Sequence, residues 1–262
     1  WGRGRPGWHL ECSAMIKKHL GDTIDIHAGG QDLVFPHHEN EIAQSTCAHQ
    51  GKVFSRYWLH NGFLSINNTK MSKSLGNVSL VRDLLKNYPG EVIRLALLTA
   101  HYRQPLEWSE DTLTGAKKML DRIYGSLRGF KISVTKINAA IVPSAIMRAL
   151  SNDLNTPMAI AEVFNLAKKL NKTTDQNQKE DIAAEILAAG KILGLFESNA
   201  DEWFQNKNTG ILSEQEIESL IAQREAARSI KDFVRADQIR DDLLAEGITI
   251  EDTSSGCSLA LY

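Results

Sequence analysis

Residues 23–30, TIDIHAGG, constrain this chain most: a β-branched run ends in paired glycines and is followed, past Asp32 and Pro36, by HHENEIAQSTCAHQ, which closes at Gly51. The run predicts a strand, the glycines a tight loop, and Pro36 the first turn of a helix. Strand, glycine loop and helix in this order form the unit of an α/β sheet. Such sheets bind ligands at the carboxyl ends of their strands, where backbone N–H groups and helix N-termini attract anions. His27, Gly29, Gly30 and Asp32 fall at that end. Taken alone, the pattern fits an ordinary βα turn with a capping aspartate at least as well.

Ahead of the strand, residues 8–20, WHLECSAMIKKHL, set Leu10, Ala14, Ile16 and Leu20 among polar positions and predict a short helix stopping at Gly21. In the helix after Pro36, His37 and Glu41 are four apart and share a face, a spacing that suits two ligands of one metal ion. Cys12 is a candidate third ligand. Thiol, imidazole and carboxylate together suit zinc better than calcium or magnesium, and three protein ligands leave a position for substrate. A solvent-facing His–Glu pair with Cys12 in the core satisfies the same spacing. His38, Glu39 and Asn40 point elsewhere on the wheel and read as capping or surface groups; Cys47 reads as buried and inert.

Farther on, Asn68 to Asn77, NTKMSKSLGN, has no apolar periodicity but sets Lys70 and Lys73 three apart among hydroxyl residues. Lysine on its long stem suits the charge that builds up on a leaving polyphosphate, and serines and backbone N–H groups add hydrogen bonds. The 262 residues carry a formal charge of −2, so a nucleic-acid partner would be held by a local basic patch rather than by the overall field. No apolar run approaches the ~18 residues of a membrane span. The three cysteines Cys12, Cys47 and Cys257 are too few and too scattered for a disulfide framework, which predicts a cytoplasmic protein. The opening Trp1 to Trp8 has neither an initiator Met nor a signal-peptide core, and the chain is expected to be part of a longer one.

With these residues in place the chain resembles the cysteinyl-tRNA synthetases, class I aminoacyl-tRNA synthetases. GRPGWHLECSAM, DIHAGGQDLVFPHHENEIAQS, KMSKSLGN, HYRQPLEWS, DLNTPMA and GITIEDT look like that family's blocks, in its order and over almost the whole chain. The resemblance implies a multidomain protein: a partial α/β, Rossmann-like nucleotide-binding fold with the zinc site and signature loop (1–80), a stem-contact connecting region (81–115), a tRNA-binding helical bundle (116–200) and a small α+β anticodon-binding domain (213–262). It implies ligation of L-cysteine to tRNA(Cys) through cysteinyl-adenylate, with ATP as its magnesium complex, by a monomer. It assigns Cys12, His37 and Glu41 to zinc that takes the substrate thiolate, and Trp8 to the amino-acid pocket. His27, Gly29, Gly30 and Asp32 go to the ATP loop, and Lys70 and Lys73 to catalysis on the triphosphate. The family's HxGH motif and a further zinc-ligand cysteine are absent from the chain, which puts its independent activity in question. A cysteine ligase acting on a small amine and a non-catalytic tRNA-binding module are the alternatives.

In residues 81–110 short helices and loops are expected, with the segment's Tyr, His and Arg residues (Arg82, Tyr88, Arg94, His101, Tyr102 and Arg103) as candidate acceptor-stem contacts and core or capping roles at least as open for each. Ala116, Leu120, Ile123 and Leu127 repeat at helical spacing; Asn155-Thr156-Pro157 starts another helix, and Ile182, Ile186 and Leu193 mark a third. Residues 198–212 read as a linker. Ser213 and Glu216 read as a capping box, and Ile217, Leu220 and Ile221 as an inward face. Arg224, Arg228, Lys231 and Arg235 fall on one face of a continuous helix, either a phosphate track or a solvated, ion-paired surface. Gly247 ends that helix, and a hairpin closes the chain. The family's Thr-x-Trp-Arg pattern is missing there, where Cys257-Ser258-Leu259-Ala260 stands.

Overall fold

The computed structural model describes residues 2–66, 69–71, 79–205, 214–230, 232–245, 248–253 and 256–261. Two compact units divide them, one from Trp1–Ala116 with Ser144–Ala161, the other from Lys117–Pro143 with Glu162–Tyr262.

The first unit opens with α1 (Trp8–Leu20), which stops where Gly21 takes φ +99, a conformation open to glycine. Strand β1 (Ile24–Gly30) follows, then a tight turn and a π-helical turn over Val34–His38 that leads into α2 (Glu39–Ala48). Strand β2 (Ser55–Asn61) pairs with β1 in parallel, His27 opposite Trp58 and Gly29 opposite His60. Adjacent strand residues alternate faces, so His27, Gly29, Trp58 and His60 share the face covered by the π-turn. Ile26 and Tyr57 lie on the other, 61% and 67% exposed. This is the predicted strand, glycine loop and helix, with parallel pairing to the next strand.

Next come β3 (Leu64–Ile66) and β4 (Thr69–Lys70), an antiparallel pair, then α3 (Val81–Leu84) and α4 (Gly90–Leu98). The short strand β5 (Leu106–Glu107) runs parallel to β3, Leu64 opposite Leu106; the sequence reading had only helices and loops there. Helix α5 (Glu110–Leu127) follows, and α4 buries Val92, Ile93, Leu95 and Ala96. The later part of the unit holds α7 (Ser144–Ser151), after α6 (Val134–Ala139) in sequence, and the start of α8 (Thr156–Lys172), which Asn155 caps through the Met158 N–H at 3.1 Å.

Of the candidate stem contacts, His101, Tyr102 and Arg103 are taken up by Asp153: Arg103 Nε lies 2.6 Å from Oδ2, and Tyr102 donates to Oδ1 at 2.7 Å. Hydrogen bonding from Arg103 first, and from Tyr102 next, holds the Asp153 carboxyl at about 2. A folded-state value below the unfolded one contributes stability above the unfolded pKa that is lost as pH falls through the folded one. The urea-midpoint difference between wild type and Asp153→Asn is therefore expected to stay constant above pH 5 and to shrink between about pH 4 and pH 2.

In the second unit, Leu120, Ile123, Tyr124 and Leu127 of α5 are buried, as are Val163, Ala167 and Leu170 of α8 and Ile182, Ile186 and Leu193 of α9 (Gln176–Leu193). Of these, Leu120, Ile123 and Leu127 of α5 and Ile182, Ile186 and Leu193 of α9 are the apolar stripes read from the sequence. Asp175 caps α9 by accepting from the Gln178 N–H at 2.8 Å, and Gly194 closes it in the left-handed conformation.

The expected linker is different from its reading. Ala200–Gln205 is a helix, α10, with Asn199 accepting from the Asp201 N–H at 2.8 Å at its start. Trp203 is buried, stacks on Tyr124 at 4.4 Å between centroids and donates from Nε1 to Asp121 at 2.7 Å. Residues 206–212 lie outside the described ones. Trp203→Ala is expected to cost about 3–5 kcal/mol, read as a lower urea midpoint, because it empties an aromatic site and removes a donor from a buried carboxylate.

The chain closes with α11 (Glu214–Ser229), α12 (Phe233–Ala245) and the antiparallel hairpin β6 (Ile248–Thr253) and β7 (Gly256–Leu261), which the alternation had predicted. The basic stripe does not hold as one helical face. The helix breaks after Ser229, placing Arg224 and Arg228 on α11 and Arg235 on α12, and Arg224 is buried. Asp232 drives the break by capping α12, accepting from the Arg235 N–H at 3.1 Å. Lys231, Ser213 of the capping box and Gly247 lie outside the described residues, and the Ile217 side chain is likewise not described.

Candidate metal and nucleotide site

The first unit brings Cys12 of α1, His37 of the π-turn and Glu41 of α2 together: a thiol sulfur, an imidazole nitrogen and a carboxylate oxygen all within 4.8 Å of one another. Helical spacing accounts for the His37–Glu41 pair, and packing of α1 on α2 supplies Cys12. Trp8, one turn before Cys12, sets its ring 4.2 Å from that of His37 between centroids and is itself 59% exposed. Trp8 thus forms a half-open aromatic wall beside the three convergent ligand atoms.

Glu41 is fully buried, and its two oxygens face His37 Nε2 and His27 Nε2, each at 3.2 Å. Neither oxygen makes a protein hydrogen bond of good geometry. A buried carboxylate so placed is costly unless a cation or protonated partner compensates it. The donor set fits zinc on that observation: tetrahedral bonds of about 2.0–2.3 Å put ligand atoms roughly 3.5 Å apart, within the cluster's span. Burial first, and the Glu41 carboxylate next, push the Cys12 thiol up; a divalent cation reverses that balance.

His38, assigned to the surface by helical-wheel spacing, is buried and shares a 2.9 Å hydrogen bond from Nδ1 to His60 Nε2. The wheel had no view of the neighbouring strands: after a break at the extended Phe35 (φ −133°, ψ 135°) the turn packs His38 against His27, Trp58 and His60 on β1 and β2. Burial, then the neighbouring His27 and His60, hold His38 down at about 4, so it stays neutral. Burial likewise lowers His27. His27, His38 and Glu41 form a second group of three with ligand spacing that shares Glu41 with the first, but it lacks the soft thiolate. The sequence reading missed His60; its signal was a histidine at the end of the apolar strand YWLHN, where α/β sheets place functional groups. Cys47, read as buried, is exposed.

Gly29 has a specific reason to be glycine: a Cβ there would meet the His38 ring at 2.7 Å. Past it, Gly30 and the exposed Asp32 form the turn at the carboxyl end of β1. Lys70 lies on β4 opposite Ser65, and the Met71 N–H donates to the Leu64 carbonyl at 2.9 Å, closing the stem of the signature loop. Residues 72–78, with Lys73, lie outside the described ones. Arg228 and Arg235 are exposed in the second unit.

Three family models match in the order of these elements: the class I (C) tRNA synthetase catalytic domain over residues 1–118, the DALR domain over 145–197, and the cysteinyl-tRNA ligase anticodon-binding domain over 213–256. The chain belongs to the cysteinyl-tRNA synthetase family. Among its relatives, the cysteine–tRNA ligase of Parvibaculum lavamentivorans is 54% identical over 259 residues, and that of Maricaulis maris 54% over 256; each match takes in 98% of this chain and 55% of the relative. The chain thus spans about half the length of these curated relatives. LeuRS of Agrobacterium radiobacter K84, solved as a ternary complex with tRNA and LeuAMS, has a similar fold, with TM-score 0.51 and 16% identity over 69% of this chain and 27% of that one. No helix among the described residues is long and apolar enough to cross a membrane.

Proposed function

We propose that this chain serves ATP-dependent joining of L-cysteine to tRNA(Cys), in the cytoplasm and as a monomer, with cysteine recognised at a zinc centre held by Cys12, His37 and Glu41. The observation that carries this reading is the convergence of those three ligand atoms beside Trp8 around a buried carboxylate short of hydrogen bonds. Serine differs from cysteine by one atom, and a pocket working by size separates such isosteres poorly. Zinc bound there supplies a soft Lewis acid that lowers a thiol's pKa and prefers sulfur to an alcohol.

The chain's own residues do the rest. Trp8 walls the amino-acid pocket, and His27 stands 3.2 Å from the second oxygen of Glu41. His27, Gly29, Gly30 and Asp32 receive ATP at the carboxyl end of β1, held as its magnesium complex. Attack of the cysteine carboxylate on the α-phosphorus gives cysteinyl-adenylate and pyrophosphate; Lys70 and Lys73 offset the charge developing on the leaving group. No protein nucleophile is required, so positioning and charge stabilisation carry the rate. Residues 1–80 hold this chemistry, 81–115 connect it to a tRNA-binding bundle at 116–200, and 213–262 read the anticodon, with the exposed Arg228 and Arg235 as phosphate contacts. The match to an anticodon-binding domain favours tRNA over a small amine as acceptor.

Cysteine-dependent ATP–pyrophosphate exchange tests this reading, with serine as control and metal content measured on the same sample. Exchange with cysteine but not serine, at about one zinc per chain, is the expected result. Absence of exchange, alone and with the family's remaining half added, would overturn it in favour of a non-catalytic tRNA-binding module.

A further inference from the structure

We propose that Asp153 is a positioning residue of the nucleotide site: it holds segment 101–103 where that segment supports both the Gly29–Asp32 turn and the hairpin carrying Lys70. The inference rests on the ATP-binding role given to those two loops above.

Its foundation is a left-handed turn. After α7 the chain takes φ +53 at both Asp153 and Leu154, a conformation uncommon for residues with a Cβ, which aspartate tolerates better than leucine. The turn is closed by the Leu154 N–H on Leu150 O at 3.1 Å and the Asn155 N–H on Ala149 O at 3.2 Å. It aims the Asp153 carboxylate at the 101–103 segment, where Arg103 grips it through Nε at 2.6 Å and Nη2 at 3.1 Å, Tyr102 donates at 2.7 Å, and His101 Nε2 stands at 3.8 Å. Three residues on, Thr156 Oγ1 donates to Leu98 O at 2.9 Å and fastens the near end of the same stretch.

That stretch touches both loops from behind. The Arg103 carbonyl accepts from Gln31 Nε2 at 3.1 Å, one residue past Gly30. The Tyr102 carbonyl accepts from the Gly62 N–H at 2.7 Å, and the approach is so close that a Cβ at Gly62 would sit 2.3 Å from the Gln104 carbonyl oxygen. Just beyond, β5 pairs with β3, and β3 pairs with β4 at Ser65–Lys70. Asp153 thus lies at the root of two backbone routes, one to the glycine turn and one to the stem of the signature loop.

A purely stabilising role explains this poorly. The Asp153 and Arg103 side chains are each 44% exposed, and exposed ion pairs contribute little to stability. A glycine at 153 would adopt φ +53 freely. What the constrained aspartate secures is the place of its carboxylate, as expected where constraint serves function.

The test is steady-state ATP–pyrophosphate exchange, with thermal melting, on the full-length enzyme carrying Asp153→Gly, Asp153→Asn, Asp153→Arg, or Asp153→Arg with Arg103→Asp. The glycine variant is expected to stay folded at the assay temperature, yet to lose at least tenfold in kcat/KM for ATP while KM for cysteine stays unchanged. The asparagine variant moves the same way, and the reversed pair recovers activity relative to Asp153→Arg alone. Wild-type kcat/KM for ATP in either the glycine or the asparagine variant, or equal losses toward ATP and cysteine, would overturn the inference while leaving the ligase reading intact. A wild type without cysteine-dependent exchange removes the ligase reading and this inference with it.

Discussion

A full-length enzyme carrying Cys12→Ser is expected to lose zinc and cysteine activation together. The hydroxyl is a poor ligand for a borderline-soft cation, and its loss leaves His37 and Glu41 to hold the ion alone. Removing groups that merely orient a ligand costs 10- to 100-fold in affinity or activity, so removing a ligand should lower activation by at least about 100-fold. Metal analysis beside ATP–pyrophosphate exchange reads both effects. Unchanged zinc content would sink the assignment of Cys12, whatever the activity. The surroundings sharpen the expectation, because with the thiolate gone Glu41 remains fully buried with two oxygens short of donors.

The second large effect is expected at the signature loop. Lys73→Ala should slow adenylate formation by at least about tenfold, since loss of one preorganised donor on developing charge commonly costs more than that. Single-turnover adenylate formation separates this step from transfer to tRNA. If only tRNA affinity changed, the loop would belong to RNA binding rather than to ATP. The β3–β4 hairpin that carries Lys70 gives the loop a fixed base at Ser65 and Ile66.

Much of the site was legible because it is built from local spacing. His37 and Glu41 announce themselves at i and i+4, and the glycines after a β-branched run place the turn at the strand's carboxyl end. Helix packing then delivers Cys12. What escaped the sequence depends on contacts distant along the chain or on departures from ideal helix geometry. The wheel misplaced His38 because its burial comes from β1 and β2, and His60, its partner, lies 22 residues later on β2. β5 is two residues long and owes its existence to a partner strand about 40 residues earlier, which no local propensity reports. α10 read as a linker because it is short and polar, while the burial of Trp203 against Tyr124 and Asp121 holds it in place. The basic stripe failed for a local reason that was present in the sequence: Asp232, three residues before Arg235, is a helix cap rather than an interruption of charge.

One consequence follows from strand β1. Among the described residues β2 is its sole partner, and Ile26 and Tyr57 face away from the histidines, largely open to water. The two faces of this pair therefore carry different burdens: one holds the histidines and the glycine turn, the other holds none of the site. Substitutions at Ile26 or Tyr57 thus perturb the strands without replacing any group of the site, and a change in metal content or exchange rate in such variants would report on strand register alone.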